Sequence, residues 1–244
     1  MTDAVPTAQR RWLITGASRG IGKAIAARAI QNGDQVCILA RSDDGRSTAE
    51  QLGDRAISVV ADVAQPDAVA AAIDDVASRW GGLDVIVNNA GLHRGGRVDA
   101  VASGDWDLSL ATNLTGPFNV VRATLPHLSA GSSIINIGAV VGYRGFPGDS
   151  CYGASKAGLA GLTQVLSAEL APRGIRVNLV VPGFVMSEMT ATVSARARDE
   201  IIARIPMGRM GTADEIADVC WWVAGSTYMT GSVIVTDGGL KSSL

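Results

Sequence analysis

The segment CYGASKAG carries Tyr152 and Lys156 four residues apart, a spacing that puts both side chains on one face of a helix. A phenol has a pKa near about 10, too high for easy proton exchange at neutral pH, and a neighbouring ammonium stabilises the phenolate and lowers that value. Such a pair can give a proton to a ketone oxygen or take one from an alcohol. Taken alone, the spacing fits a simple helix-surface contact equally well.

The stretch LITGASRGIGKAIA is the second signal, with Gly16, Gly20 and Gly22 following an apolar run and opening a helical pattern. Glycines there allow a tight turn and close backbone approach. The first turn of the helix then offers unpaired N–H groups and a positive dipole end to a diphosphate. By itself the triplet also fits an ordinary strand-to-helix turn. Metal chemistry has little to work with, because the chain holds only His93 and His127. Cys37, Cys151 and Cys220 are far apart, odd in number and without CxxC spacing, so reduced thiols of a cytoplasmic protein are the expectation.

These groups need a rigid frame. Seven short apolar runs, RWLIT, QVCILA, AISVVAD, LDVIVNN, SSIINIG, IRVNLVV and SVIVTDG, show little alternation, as strands of a parallel sheet covered on both faces do. Between them the period is helical: Val69, Ile73, Val76 and Trp80 form one stripe, and Leu159, Leu162, Leu166 and Leu170 another. Strand and helix alternating along the whole length predict an α/β fold, a doubly wound, seven-stranded parallel sheet with its ligand at the carboxyl edge. The chain has 244 residues, 47% apolar and 18% charged, and no linker, repeat or low-complexity tract. It reads as a single domain over 11–244 behind a flexible N-terminus at 1–10.

A net charge of -2 without basic runs gives no support for nucleic acid or an anionic membrane surface. No stretch reaches the about 18 apolar residues of a membrane span, and MTDAVPTAQRRWLITG is polar where a signal peptide needs its apolar centre. A small molecule is the expected partner.

The glycine spacing T-G-x-x-x-G-x-G, followed by VNNAG and by Y-x-x-x-K, resembles the short-chain dehydrogenase/reductase family, and the resemblance runs from about residue 11 to residue 240. It implies a Rossmann-type fold that binds NAD or NADP. Carried over, it puts Ser18, Arg19 and Ile21 along the nucleotide beside the glycines, and Asp62 and Val63 beside the adenine. Asn88, Ala90 and Gly91 would pack under the adenosine ribose and steady the sheet. Pro182, Gly183, Val185 and Ser187 would close the nicotinamide half, Val185 through its backbone, with about residues 186–205 as a mobile lid. In ILARS, Ala40 stands where NAD-preferring relatives carry an aspartate, while Arg41 and Arg19 could clamp a 2′-phosphate. NADP(H) is the expected cofactor, and Asp43 is the feature that keeps NAD open.

The same resemblance makes Tyr152 the general acid or base, Lys156 a partner of the nicotinamide ribose, and Asn113 in LATNLTGPF the holder of a relay water. It implies hydride transfer to a ketone while Tyr152 protonates the oxygen. It also places a serine 13 residues before the tyrosine, its hydroxyl bonding the carbonyl oxygen; in INIGAVVG that position is Ala139. Either a working enzyme carries a serine-to-alanine substitution, or the natural protein lacks the hydroxyl and is weakened, specialised or not catalytic. The intact remainder of the motif set favours the substitution, with turnover lowered by about 10²–10³. Ser150 is the nearest other hydroxyl in sequence, and Tyr143 and His93 read as wall residues that set the shape of the pocket.

RIPMGRMGTADEIADVCWWVAG and YMTGSVIVTDGGL resemble the 3-oxoacyl-(acyl-carrier-protein) reductase branch. Acyl thioesters, small ketones, cyclic ketones and steroids all remain open as substrates. LPHLSAGSS holds no Lys or Arg to steer an acidic carrier protein, whereas Arg173 matches a basic position of that branch. Helices around 107–128 and 153–172 resemble the pair that forms dimer interfaces in the family, which implies a homotetramer with two-fold axes. The other class of function is a non-catalytic NADP-binding or sensing protein; the retained Tyr152, Lys156 and Asn113 speak against it, because binding alone needs no proton relay.

Overall fold

The structure is a computed structural model that describes residues 9–186 and 194–243. The seven apolar runs form seven strands: β1 (Arg11–Thr15), β2 (Gln35–Ala40), β3 (Ala56–Val60), β4 (Leu83–Asn88), β5 (Leu128–Ile137), β6 (Arg176–Pro182) and β7 (Val233–Thr236). They make one parallel sheet in the order β3-β2-β1-β4-β5-β6-β7. The order reverses between β1 and β4, which opens a crevice at the carboxyl ends of those strands.

Successive side chains of each strand point to opposite faces, and both faces are covered. In β1, Trp12 and Ile14 enter the core built with Ile25, Ala29, Ile216 and Val223, while Leu13 enters the other core with Val69, Ile73, Val120 and Leu166. The first core is shared with α1 (Gly20–Gln31) and with the helix Ala213–Gly225. The second is shared with α3 (Pro66–Trp80), α5 (Gly116–Thr124) and α6 (Ser150–Leu170). The predicted stripes are the buried ones: Val69, Ile73 and Val76 are fully buried with Trp80 half-buried, and Leu159, Leu166 and Leu170 are buried with Leu162 half-buried. Each fully buried aliphatic side chain contributes about 1.5–3 kcal/mol relative to exposure.

The remaining α-helices among the described residues are α2 (Asp44–Leu52), α4 (Ser103–Leu110), α7 (Ala195–Ile202) and α8 (Ala213–Gly225). Pro66 opens α3, where its missing N–H costs nothing, and Gly81 ends it at φ +72°. Thr212 and Glu215 form a capping box at the start of α8. Between α4 and α5 the helix passes through a π-turn, Ala111–Thr115, which periodicity did not announce.

Arg10, expected within the frayed N-terminus, is instead anchored: its backbone N–H and Nε bond the carboxylate of Asp34 at 3.0 and 3.1 Å. No helix among the described residues is long and apolar enough to cross a membrane. Cys37, Cys151 and Cys220 are free and buried, and burial pushes the Cys220 thiol up to about 12 and that of Cys37 well above its ordinary value.

Candidate active site

β1 ends in the glycine turn. Gly16 has φ +66°, and a Cβ there would stand 2.8 Å from the Cα of Ala90, so the turn and the end of β4 touch through backbone. Gly20, at φ +57°, is the reverse case: nothing lies within 4 Å of where its Cβ would be, and it faces open space. No side chain caps the N-terminus of α1, whose first N–H groups are thereby available to a ligand. A diphosphate fits this cradle by shape and by sign. Two residues that sequence reasoning passed over hold it: Thr15 Oγ1 accepts the N–H groups of Asn89 (3.0 Å) and Ala90 (2.9 Å), and Asn89 Nδ2 donates to the carbonyls of Thr15 (2.9 Å) and Gly16 (3.1 Å).

From this turn a cleft of about 760 Å³ runs along the carboxyl edge of the sheet. Its first end is lined by Gly16, Ser18, Arg19, Gly20, Ile21 and Arg41, and its floor by Asp62, Val63, Ala90 and Gly91. The other end is lined by Ala139, Tyr152, Lys156, Pro182, Gly183 and Val185. Most of the predicted site is thus brought together. Gly183 sits so close to β7 that a Cβ would meet the Cα of Asp237 at 2.7 Å, which explains the glycine there. Ser187 and most of the first half of the expected lid lie outside the described residues.

Gly22 is corrected as a cleft residue, while the side chains of Asn88 and Asn113 are placed inward. Gly22 is buried behind the turn, where a Cβ would press on the Cα of Ala17 at 2.8 Å, so it serves packing and not the cleft. Asn88 points into the protein: its Nδ2 donates to Asn136 Oδ1 (2.8 Å), and Asn136 donates on to Thr163 (2.9 Å), a chain that ties β4, β5 and α6. Asn113 is fully buried in the π-turn, and its side chain is spent on local partners. Its Oδ1 accepts from the backbone of Leu92 (2.9 Å), and its Nδ2 donates to the carbonyl of Leu92 (2.9 Å) and to Ser155 (3.0 Å). Among the acids after β2, Asp43 pairs with Arg46 (3.3 Å), and it is Asp44, accepting from Ser42 (2.8 Å), that lines the cleft.

At the catalytic end, Lys156 is buried and donates from Nζ to the carbonyl of Ile137 (2.8 Å), with Nζ 5.8 Å from the centroid of the Tyr152 ring. Burial pulls the lysine down to about 8. The expected lowering of the phenol is not found. Tyr152 is pushed up to about 12, first by desolvation and then by the nearby carboxylate of Asp149, while the lysine gives its hydrogen bond to β5 and not to the phenol. Ala139 is half-buried at the end of β5 and presents no polar group to the cleft. Ser150 and Tyr143 face a neighbouring cavity of about 690 Å³ instead, so neither supplies the missing hydroxyl. His93 does line the main cleft, with Nε2 2.6 Å from Asp149 Oδ1, a contact across 56 residues that spacing could not reveal.

Residues 16–241 match the family model described as enoyl-(acyl carrier protein) reductase. The chain belongs to the short-chain dehydrogenase/reductase family. The family binds a nicotinamide cofactor, and the relatives named here are oxidoreductases. The chain is 39% identical over 236 residues to the 3-oxoacyl-(acyl-carrier-protein) reductase FabG of Thermotoga maritima, covering 93% of this chain and 96% of that one. Against the reductase of the same name from Staphylococcus aureus it is 38% identical over 237 residues, with the same coverage. Among solved structures, a gluconate 5-dehydrogenase from Burkholderia cenocepacia in complex with NADP and tartrate superposes with a TM-score of 0.92 at 35% identity, covering 96% of each chain. A short-chain dehydrogenase/reductase from Brucella melitensis, titled glucose/ribitol dehydrogenase, superposes with a TM-score of 0.91 at 31% identity over 95% of this chain and 96% of that one. The doubly wound sheet expected from the strand pattern, of the Rossmann type that the resemblance implied, is the family's fold.

Proposed function

We propose that this short-chain dehydrogenase/reductase is an NADPH-dependent ketone reductase, acting on a 3-oxoacyl thioester or another small or cyclic ketone. The observation that carries the reading is the joint lining of one cleft by the glycine cradle and by the Tyr152–Lys156 pair. A nicotinamide cofactor, when bound, supplies the hydride. Its diphosphate would be held by the turn of Gly16 and Gly20 and by the N-terminus of α1, and a 2′-phosphate by Arg19 and Arg41. Asp44 at the same rim acts against a phosphate dianion, and the two guanidinium groups outweigh it in charge.

Tyr152 protonates the ketone oxygen. A phenol held near about 12 is fully protonated at neutral pH, the form a general acid needs. Lys156, charged below its pKa of about 8, stabilises the phenolate as the proton leaves. With the Asn113 amide committed to Leu92 and Ser155, a relay water at that position would need the backbone of the π-turn as its holder. Ala139 removes one donor to the oxygen, a loss of about 10²–10³ in turnover unless another group replaces it.

The named relatives support a 3-oxoacyl thioester first. Carrier-protein docking has weaker support, since LPHLSAGSS holds no Lys or Arg to steer an acidic partner, although Arg173 stays exposed. A cytoplasmic homotetramer that binds neither nucleic acid nor membrane completes the reading. The test is NADPH oxidation, against NADH, over a panel of 3-oxoacyl thioesters and simple and cyclic ketones. Turnover with NADPH is expected; tight NADPH binding with no ketone reduced would leave a nucleotide-binding or sensing protein in its place.

A further inference from the structure

His93, which lines the cleft, and its carboxylate partner have no joint role so far. His93 stands on the segment after β4, and Asp149, its partner at 2.6 Å, directly precedes α6, the helix that carries Tyr152 and Lys156. The imidazole packs edge-on against the Tyr152 ring, centroids 5.1 Å apart and planes at 75°. It lines the same cleft as Ala139 and Tyr152. Because the carboxylate takes Nε2, Nδ1 is the nitrogen left for the cleft. Gly95 keeps the ring's place clear, since a Cβ there would come 3.0 Å from His93 Cε1.

We propose that His93, oriented by Asp149, donates a hydrogen bond from Nδ1 to the substrate oxygen that Tyr152 protonates, in the role for which Ala139 has no hydroxyl. The proposal rests on the reductase reading above. It takes Ala139 as a residue of a site specialised to work without the serine, not as a simple loss. No bond breaks at the imidazole; the proton still comes from Tyr152, and the imidazole only bonds the oxygen as it gains negative charge.

With Nε2–H bound to Asp149, the neutral ring has a bare Nδ1 that cannot donate, and the imidazolium can. A donor of this charged kind forms hydrogen bonds roughly twice as strong as a neutral one. The Asp149 hydrogen bond, opposed by partial burial, holds His93 above its ordinary value. The other charged groups lining this part of the cleft are the cations Lys156 and Arg94, which oppose the imidazolium; Arg94 is paired with Asp105 at 3.5 Å. The phenol of Tyr152 is neutral over the working range.

The test is a variant cycle on NADPH oxidation with acetoacetyl-coenzyme A and with cyclohexanone, using the parent, H93A, A139S and H93A/A139S. H93A is expected to lower kcat by about 10²-fold while moving KM far less. A139S should return most of that loss in the H93A background, a gain at least about tenfold larger than it gives beside His93. An equal gain from A139S in both backgrounds, or a kcat of H93A within about threefold of the parent, overturns the proposal and leaves the reductase reading standing. A parent that reduces no ketone defeats the reductase reading itself, and the imidazole then has no oxygen to serve.

An NMR titration of the histidines needs no turnover, and H127Q identifies the His93 signal, since His127 is the only other histidine. His93 is expected to titrate above 6.5 in the parent and to return toward 6.5 in D149N. A titration that D149N does not move also overturns the proposal.

Discussion

The ammonium of Lys156 lies 2.8 Å from the carbonyl oxygen of Ile137, two residues before Ala139 on the same strand end. β5 therefore holds the lysine of the proton-transfer pair and also presents the wall against which a substrate oxygen would rest. The phenol and the ammonium are both set by α6, so their separation does not depend on loop geometry.

Burial, and not the phenol, sets the titration of this lysine. With its pKa pulled down to about 8, Lys156 is charged below that pH and neutral above it. Ketone reduction is expected to lose kcat/KM as pH rises through about 8, well before Tyr152 itself ionises near about 12. Lys156→Met should lower the rate throughout and leave only the part of the falling limb that His93 sets. A profile of the parent that stays flat to about pH 10 would contradict the assignment.

Arg41 is exposed at the rim of the cleft and has no hydrogen-bond or ion-pair partner among the described residues. Arg41→Ala should raise KM for NADPH by about tenfold, the scale of one charge-assisted hydrogen bond, and leave KM for NADH within about twofold. Equal changes for both nucleotides would show that the 2′-phosphate is not read here.

Two glycines of one turn should fail in different ways. Gly16→Ala places a methyl group 2.8 Å from the Cα of Ala90 at φ +66°, and is expected to cost about 1–3 kcal/mol in thermal or denaturant unfolding. Gly20→Ala, with open space before it, carries only the strain of φ +57° and should act mainly on NADPH affinity, because the methyl group fills ligand space. Comparable stability for the parent and Gly16→Ala would contradict the close turn-to-strand contact.

The frame was legible because each strand is apolar on both faces and each helix repeats its apolar residues every three or four positions, as Val69, Ile73 and Val76 do. The cradle and the Tyr152–Lys156 pair were legible because both are local in sequence. What spacing could not reveal is contact across the fold. Thr15 meets Asn89 74 residues away, and His93 meets Asp149 56 residues away, with no periodicity to link them. Asn88 was read as lying under the ribose and as steadying the sheet, and its bond to Asn136 serves the second; the amide of Asn113 faces inward, where Leu92 and Ser155 supply its partners. The raised phenol was missed for a related reason: four-residue spacing says that two side chains are neighbours and says nothing of the burial around them.

Trp106, Leu108, Phe118 and Val165 leave large apolar side chains exposed on α4, α5 and α6. Covering them in a homotetramer predicts a gel-filtration mass about four times 25.1 kDa, and Val165→Glu is expected to shift the protein to smaller species. A single species of 25.1 kDa for the parent would refute the assembly.

Proton donation by Tyr152 is the centre of the account, and single-turnover oxidation of bound NADPH by the best ketone, for the parent and for Tyr152→Phe, tests it most directly. The phenylalanine keeps the ring against His93 and removes only the hydroxyl. The rate is predicted to fall by about 10²–10⁴, with NADPH affinity and Tm unchanged. A Tyr152→Phe protein that oxidises NADPH as fast as the parent would contradict the account.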